Sequence, residues 1–131
     1  MKSISNIIDE KTISIVLYSK PHTKTKFLND IINSYKIPVF YVDFDLLFSG
    51  YYESGLISKI SNLEILHPNE ENFVQIFSEI IKKSTLGTTI TILDSLNGLH
   101  NVVTKMPDSG RLVNSLIMFV AHNLKFTNSK L

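Results

Sequence analysis

A lysine and a threonine stand side by side shortly after an apolar run. The run is Ile13–Tyr18, and Lys24-Thr25 follows it after residues 19–23. In the phosphate-binding pattern glycine, four free positions, glycine, lysine, then serine or threonine, the lysine contacts phosphate and the hydroxyl contacts Mg²⁺. Here Tyr18 and Thr23 replace both glycines. Because glycine reaches backbone angles closed to other residues, these replacements predict a distorted or closed ring of backbone amides.

Two later segments place carboxylates at the ends of apolar runs. Ile90–Leu93 ends at Asp94-Ser95, which can bring a carboxylate to Mg²⁺ or its waters. Pro38–Val42 leads to Asp45, which could polarise an attacking water. Each feature alone also has an ordinary explanation: a helix start for the Lys-Thr pair, a strand end for Asp94, and a solvated loop carboxylate for Asp45.

Other kinds of catalytic or metal site find little support. The chain has no cysteine, so thiol chemistry and disulfides are excluded. Ser95 lacks the Gly-x-Ser-x-Gly context of a hydrolase nucleophile. The four histidines have no metal-ligand spacing, and we expect no histidine metal site. His22 could contact an anion, or it is a plain exposed loop histidine.

Composition predicts one domain spanning residues 1–131. Apolar residues make up 44% and charged residues 19% of the chain, as in ordinary globular proteins. The formal net charge of +1 provides no overall field that attracts nucleic acid. Lys20, Lys24 and Lys26 form a small basic cluster, which either an anion site or a solvated face would explain.

The chain carries no pattern of membrane insertion or export. Residues Met1–Asn6 precede no long apolar run, so they do not form a secretory signal. The apolar stretch Leu116–Ala121 is far shorter than the ~18 residues that span a bilayer. We expect a cytoplasmic protein that does not bind membranes.

Apolar periodicity alternates between strand and helix along the chain. Alternating strands and helices predict an α/β fold with a parallel sheet covered on both faces, in three layers α/β/α. The strands are expected at Ile13–Tyr18, Pro38–Val42, Leu63–Leu66 and Thr89–Leu93, and the helices at Thr25–Tyr35, from a cap at Asn69 to Lys83, and from Asp108 or Ser109 to Lys125.

The connections carry further expectations. Leu46–Ser61 is interpreted as a loop with one or two helical turns, and Ser95–Asp108 as a polar connection. Leu112–Leu124 is apolar on nearly all sides, which predicts a well-buried final helix. Lys130-Leu131 looks like the first step of a further strand.

Taken together and in order, the segments Lys24-Thr25, Tyr41–Asp45 and Leu93–Leu96 resemble motifs of the RecA/KaiC-like branch of P-loop ATPases, with a degenerate Walker A loop. The resemblance covers roughly Ile13–Leu131. It implies a RecA-like P-loop NTPase core, truncated on its C-terminal side because the strands that follow the Asp-Ser strand in the family are absent.

The resemblance also implies roles for individual residues. Lys24 would contact phosphate, and Thr23 and His22 lie in the same loop as further cofactor contacts. If a nucleotide binds, Thr25 and Asp94 would hold Mg²⁺. Asp45, one methylene shorter than the family's usual glutamate, would stand in for the catalytic acid. The cofactors implied are ATP and Mg²⁺.

Three functional hypotheses follow. The first is a degenerate, non-catalytic or weakly nucleotide-binding module that assembles with a protein partner or with copies of itself. The second is a working Mg²⁺-dependent ATPase, and the third a recombinase-paralogue-like factor in DNA repair, which rests on family analogy. Losing three amide-to-phosphate hydrogen bonds would cost on the order of 5 kcal/mol, more than a thousandfold in affinity, which favours the first.

Overall fold

Three parallel strands form the sheet around which the chain is built. A computed structural model describes residues 8–10, 12–103, 109–124 and 129–131, with the backbone alone for 109–112. The strands are β1 (Val39–Asp43), β2 (Leu63–Leu66) and β3 (Ile90–Asp94), in the order β2-β1-β3. The central strand β1 is buried at every residue, as expected for a run of β-branched and aromatic residues between two neighbours.

Helices cover both faces of this sheet. On one face Phe40 and Val42 pack against three of the helices, and on the other Val39 and Tyr41 pack against the remaining two, because successive side chains of a strand point to opposite sides. The predicted parallel α/β architecture is therefore confirmed, whereas a RecA-like core in particular stays a prediction. The helices are α1 (Pro21–Ser34), α2 (Leu47–Glu53), α3 (Phe73–Ser84), α4 (Leu96–Val103) and α5 (Ser109–Leu124).

The expected strand Ile13–Tyr18 is not formed. This segment belongs to no sheet ladder, and its apolar side chains from Ile15 onward are exposed, Leu17 to 92%. Within the described residues, its recorded backbone contact is with Leu131, opposite the start of the run. A strand in a sheet is stabilised by hydrogen bonds to a neighbouring strand along its length. Leu131 alone provides too few hydrogen bonds to hold Ile13–Tyr18 in the sheet.

The segment Ser95–Asp108, which the sequence analysis expected to be a polar connection, contains the helix α4. Leu99 and Val103 of α4 are fully buried, and they stand four residues apart on one face of the helix. Gly98 weakened the helical pattern in the sequence, yet it lies inside α4, where it packs against Phe44.

Helix α3 begins later than predicted. Asn69 does not cap it: its side-chain oxygen accepts hydrogen bonds from the amides of Glu71 and Asn72, at 2.8 and 2.9 Å, and closes a separate turn. The helix then starts at Phe73, so both glutamates lie ahead of its first turn. The predicted apolar stripe is confirmed, with Phe77 and Ile80 buried against the sheet.

Helix α5 is amphipathic, so the prediction of burial on nearly all sides is wrong. Val113, Val120 and Leu124 are buried, but Met118 and Phe119 are 64% and 60% exposed because they face away from the sheet. The predicted cap at Asp108 and the predicted helix end at Lys125 lie outside the described residues, as does Met1–Asn6. Across the described ranges, no helix combines the length and apolar character needed to cross a bilayer.

Two smaller predictions are confirmed. Within Leu46–Ser61 the chain forms one short helix of two turns, α2. Lys130 forms an isolated parallel bridge with Ile90 of β3, which agrees with the predicted first step of a strand.

Replacing Gly98 by alanine should destabilise the protein. An added Cβ would lie 2.3 Å from the Cβ of Phe44, which is too close to its backbone to swing aside. We expect a loss of about 1–3 kcal/mol in the free energy of unfolding, measured with urea. Gly50→Ala is the matched control, because Gly50 also lies in a helix but has open space around it. Gly50→Ala should raise the free energy of unfolding by up to about 1 kcal/mol. Equal effects of the two substitutions would contradict the packing of Gly98 against Phe44.

Candidate functional site

A buried ion pair lies at the carboxyl end of β3. The Lys24 Nζ atom is 2.7 Å from Asp94 Oδ1, and the two side chains are only 5% and 3% exposed. Lys24 comes from the first turn of α1, and Asp94 is the last residue of β3. The carboxyl ends of parallel strands are where open α/β sheets usually bind ligands.

Asp94 has further protein donors. The hydroxyl of Tyr41 donates to Asp94 Oδ2 at 2.5 Å. Tyr41 lies on β1 opposite Ile92, two residues before Asp94 on the neighbouring strand, which places its hydroxyl level with the carboxylate. The backbone amide of Phe44 donates to the Asp94 carbonyl at 2.8 Å. Both carboxylate oxygens therefore have a partner inside the protein.

The ammonium group of Lys24 also contacts an aromatic ring. It lies 4.7 Å from the ring centroid of Tyr18, a separation at which a cation is attracted to the face of the ring. Lys24 is thus held between the carboxylate of Asp94 and the ring of Tyr18.

The proton affinities of this cluster follow from its burial and charges. Burial by itself lowers the pKa of Lys24, but the hydrogen bond and charge of Asp94 outweigh burial and raise the pKa above 10.5. Burial raises the pKa of Tyr41 well above 10, and the nearby carboxylates, Asp94 first, raise it further. At neutral pH Lys24 is therefore an ammonium and Tyr41 a neutral phenol.

The segment expected to form the phosphate loop is mostly helical. Helix α1 starts at Pro21, which has no amide hydrogen, and the amide of Lys24 donates to the carbonyl of Lys20 at 3.1 Å. The Thr25 hydroxyl donates to the carbonyl of Pro21 at 3.0 Å. The helix thus begins four residues earlier than predicted and leaves the amides of two residues, 22 and 23, at its open end.

His22 and Thr23 are exposed on the first turn of α1. The ring of His22 lies edge-on to that of Tyr51, with their centroids 6.5 Å apart. Both residues thus face outward, whereas Lys24 and Thr25 are buried beneath them.

The two acids that end β1 differ in their surroundings. Asp43 is buried, and its carboxylate accepts hydrogen bonds from the amide of Leu46 and from both the amide and the hydroxyl of Ser49. It therefore anchors the start of α2. Asp45, the predicted catalytic acid, is exposed, and it lies beyond Phe44 on the side of Gly98.

An open groove of about 560 Å³ runs along the carboxyl edge of the sheet next to Asp45. Its walls come from the residues after β1, the residues after β2 and helix α4, and three of them are acidic: Asp45, Glu70 and Glu71. Negative walls suit cationic groups and repel unaccompanied phosphates. Among the residues that the structure describes, no three histidine, aspartate or glutamate side chains come close enough together to hold a metal ion.

The structure thus brings together two of the predicted site residues, Lys24 and Asp94. Thr25 is close in sequence but bonds to its own helix, and Asp45 lines the groove, from which its charge contributes to the raised pKa of Lys24 and of Tyr41. The sequence analysis missed Tyr41 as a partner of Asp94. The signal was a polar hydroxyl in an otherwise apolar buried strand, since buried tyrosines usually find a hydrogen-bond partner.

Comparison of the chain with protein-family models, with curated proteins and with solved structures gave no match. What the site does must therefore be argued from its own residues.

Removing the charge of Asp94 should destabilise the fold strongly. Asp94→Asn leaves the buried ammonium of Lys24 without a counter-charge, which typically costs about 3–5 kcal/mol. The double variant Lys24→Met/Asp94→Asn removes both charges, so its free energy of unfolding should fall by less than that of Asp94→Asn. Urea unfolding followed by circular dichroism measures these differences.

The exposed ion pair between Lys83 and Glu64, at 3.1 Å, offers a matched control. Both of its side chains are close to half exposed, so Glu64→Gln should cost less than about 1 kcal/mol. A cost of that small size for Asp94→Asn as well would show that the Lys24–Asp94 pair does not support the fold.

Raising the pH above about 10 should destabilise the protein through Tyr41 and Lys24. Both have a higher pKa in the folded chain than their ordinary values of 10.0 and 10.5, so the unfolded chain gives up these protons first. Their contribution to stability is complete below those ordinary values and is lost as the pH rises toward the folded pKa. In that range each group lowers the free energy of unfolding by about 1.4 kcal/mol per pH unit.

Urea unfolding between about pH 8 and about pH 11 measures this slope. Tyr41→Phe removes one of the two protons, so its slope above pH 10 should be shallower by about 1.4 kcal/mol per unit. Tyr51→Phe, which removes a phenol that packs on His22, should keep the original slope. Identical slopes in the original chain and in Tyr41→Phe would be inconsistent with a raised Tyr41 pKa.

Proposed function

We propose that this chain is a P-loop-like module whose phosphate position is closed, and that it acts by binding a protein partner instead of hydrolysing nucleotide. The observation that supports this most directly is the ion pair between Lys24 and Asp94. In the family that this chain resembles, the residue at the position of Lys24 would contact phosphate, and the residue at the position of Asp94 would bind Mg²⁺.

The energetic argument starts from burial. To bind a phosphate, the Lys24 ammonium would have to leave a carboxylate 2.7 Å away in a site that is almost closed to solvent. Breaking a buried pair costs about 3–5 kcal/mol, so binding through Lys24 would be weakened by a factor of about 10²–10⁴. An Mg²⁺ ion at Asp94 would likewise have to displace both Lys24 and Tyr41.

The backbone provides little compensating attraction, because only the amides of residues 22 and 23 remain at the open end of α1. A phosphate cradle needs several amide hydrogens that converge on one point. Here Pro21 has none to offer, and the amide of Lys24 is already bonded inside α1. The Thr25 hydroxyl, which would bind Mg²⁺, donates to the Pro21 carbonyl. The residues as they stand do not fit a Mg-nucleotide.

A binding role agrees better with the surface. Residues 15–18 carry four apolar or aromatic side chains, each at least 45% exposed. Exposed apolar stretches of this kind mark interaction sites in many soluble proteins. The proposed kinship with RecA/KaiC-like ATPases fits this role, since members of that family assemble side by side.

Titration calorimetry with Mg-ATP tests the closed site. We expect no measurable binding at millimolar nucleotide, both for the original chain and for Lys24→Ala. In the original chain Lys24 and Asp94 already neutralise each other, and Lys24→Ala has no lysine at this position to bind phosphate. Micromolar binding that Lys24→Ala abolishes would overturn the proposal and favour the alternative, a working Mg²⁺-dependent ATPase.

A further inference from the structure

The sequence contains a single asparagine that is followed directly by glycine, in the pair Asn97-Gly98. Such a pair can modify itself in water. The glycine backbone nitrogen gives up its proton and bonds to the asparagine side-chain carbon Cγ, and the bond from Cγ to the amide nitrogen breaks, so that ammonia leaves. Water then opens the cyclic imide and leaves aspartate or isoaspartate at position 97. Glycine favours the attack, because it has no Cβ beside the nitrogen and reaches the backbone angles of ring closure easily.

Helix α4 holds this pair in an arrangement that prevents the attack. Asn97 and Gly98 are the second and third residues of α4, and helical backbone angles at Asn97 turn the Gly98 nitrogen away from Cγ. The Gly98 amide also donates to Ser95 Oγ at 3.1 Å, as the third residue of a capped helix does. The Gly98 nitrogen must leave this hydrogen bond before it can react.

Packing on the other side of α4 keeps the helix closed. Gly98 lies so near Phe44 that an added Cβ would be 2.3 Å from the Phe44 Cβ, and Leu99 and Val103 are fully buried. Asn97 itself is exposed, so water already reaches its side chain. The reaction is therefore limited by the opening of α4 and not by the access of water.

We propose that Asn97 is a self-modification site controlled by α4: the closed helix blocks deamidation, and each opening of the helix permits it. This site is independent of the proposed partner binding. The rate of deamidation in the native protein equals the rate in the open chain multiplied by the fraction of molecules in which α4 is open.

The two products differ in what they do to the fold. Aspartate leaves the backbone unchanged and places its negative charge in the first turn of α4, where the helix dipole favours it. Isoaspartate passes the main chain through the side chain, which adds a methylene to the backbone. Gly98 has no room to shift against Phe44, so the isoaspartate chain does not rebuild α4 as it was. Formation of isoaspartate thus makes an opening of α4 permanent.

Peptide mapping by mass spectrometry in mildly alkaline buffer measures the reaction. Exchange of the amide for a carboxylate changes the mass of the peptide that contains Asn97, and chromatography separates its aspartate and isoaspartate forms. We expect deamidation of Asn97 in urea, and a rate at least about tenfold lower without urea. Equal rates in the two conditions, or no reaction at Asn97 in urea, would refute the inference.

Asn101 provides an internal control in the same experiment. It is an exposed asparagine of the same helix, but valine follows it, and the branched Cβ of valine hinders attack by its nitrogen. Asn101 should stay unmodified during the time in which Asn97 reacts in urea. Deamidation of both residues at the same rate would show that Asn97-Gly98 is not a special site.

A serine variant tests the control by α4 in the folded protein. Ser95→Ala removes the hydroxyl that accepts from the Gly98 amide, so the native rate should rise by about 2- to 30-fold while the rate in urea stays the same. Ser54→Ala is the matched control, because it also removes one hydroxyl hydrogen bond, to the Tyr51 carbonyl at 3.1 Å, but outside α4. Equal native rates in Ser95→Ala and Ser54→Ala would contradict control by α4.

A second measurement of this control needs no variant. In the original chain, urea concentrations below the unfolding transition make opening easier, so the rate at Asn97 should rise with urea before the protein unfolds. A native rate that does not change with urea in this range would also contradict control by α4.

Refolding of the separated products tests the consequence for the fold. Asn97→Asp has the sequence of the aspartate product and should recover the circular dichroism spectrum and the urea midpoint of the original chain. The isoaspartate chain, isolated after reaction in urea, should recover a lower midpoint and fast hydrogen exchange at the Leu99 amide. An isoaspartate chain as stable as Asn97→Asp would refute the effect on α4.

Discussion

The carboxylate of Asp94 is the point on which the carboxyl edge of the sheet depends. Its two oxygens accept from Lys24 and Tyr41, and its backbone carbonyl accepts from Phe44. These donors come from α1, from the middle of β1 and from the turn after β1, so one residue ties a helix and a neighbouring strand to the end of β3. A buried carboxylate requires such donors, because desolvation without them costs several kcal/mol.

A second acid, Asp43, lies beside Asp94 and adds to the negative charge that Lys24 balances. Asp43 lies directly opposite Asp94 in the register of β1 and β3, and residues opposite each other in a parallel pair point to the same face. Asp43 satisfies its oxygens with neutral donors, the amides of Leu46 and Ser49 and the Ser49 hydroxyl. Lys24 is the only positive charge recorded in contact with either acid within the described residues, which explains why it is held inward instead of reaching a ligand.

The sequence allowed the α/β class, all three strands of the sheet within one residue and the apolar stripe of α3 to be predicted, because local periodicity determines them. It also picked out Lys24 and Asp94. It could not reveal that they bond to each other, since that contact spans 70 positions and depends on where α1 begins. Ile13–Tyr18 was mistaken for a buried strand because its composition is that of one, whereas burial depends on a neighbouring strand, which no local pattern encodes. Helix α4 was missed because Gly98 weakens the helical signal, while the close approach of Phe44 requires it.

The same residues could therefore either bind an anion or form an internal ion pair. The position at which α1 begins decides between these two arrangements. If the chain stayed open through Thr23, the amides of the loop and the Lys24 ammonium would converge on an anion. With the helix starting at Pro21, the amide of Lys24 is bonded inside that turn, only the amides of residues 22 and 23 stay at its open end, and Lys24 is carried to Asp94. An anion bound by Lys24 would have to separate this buried ion pair.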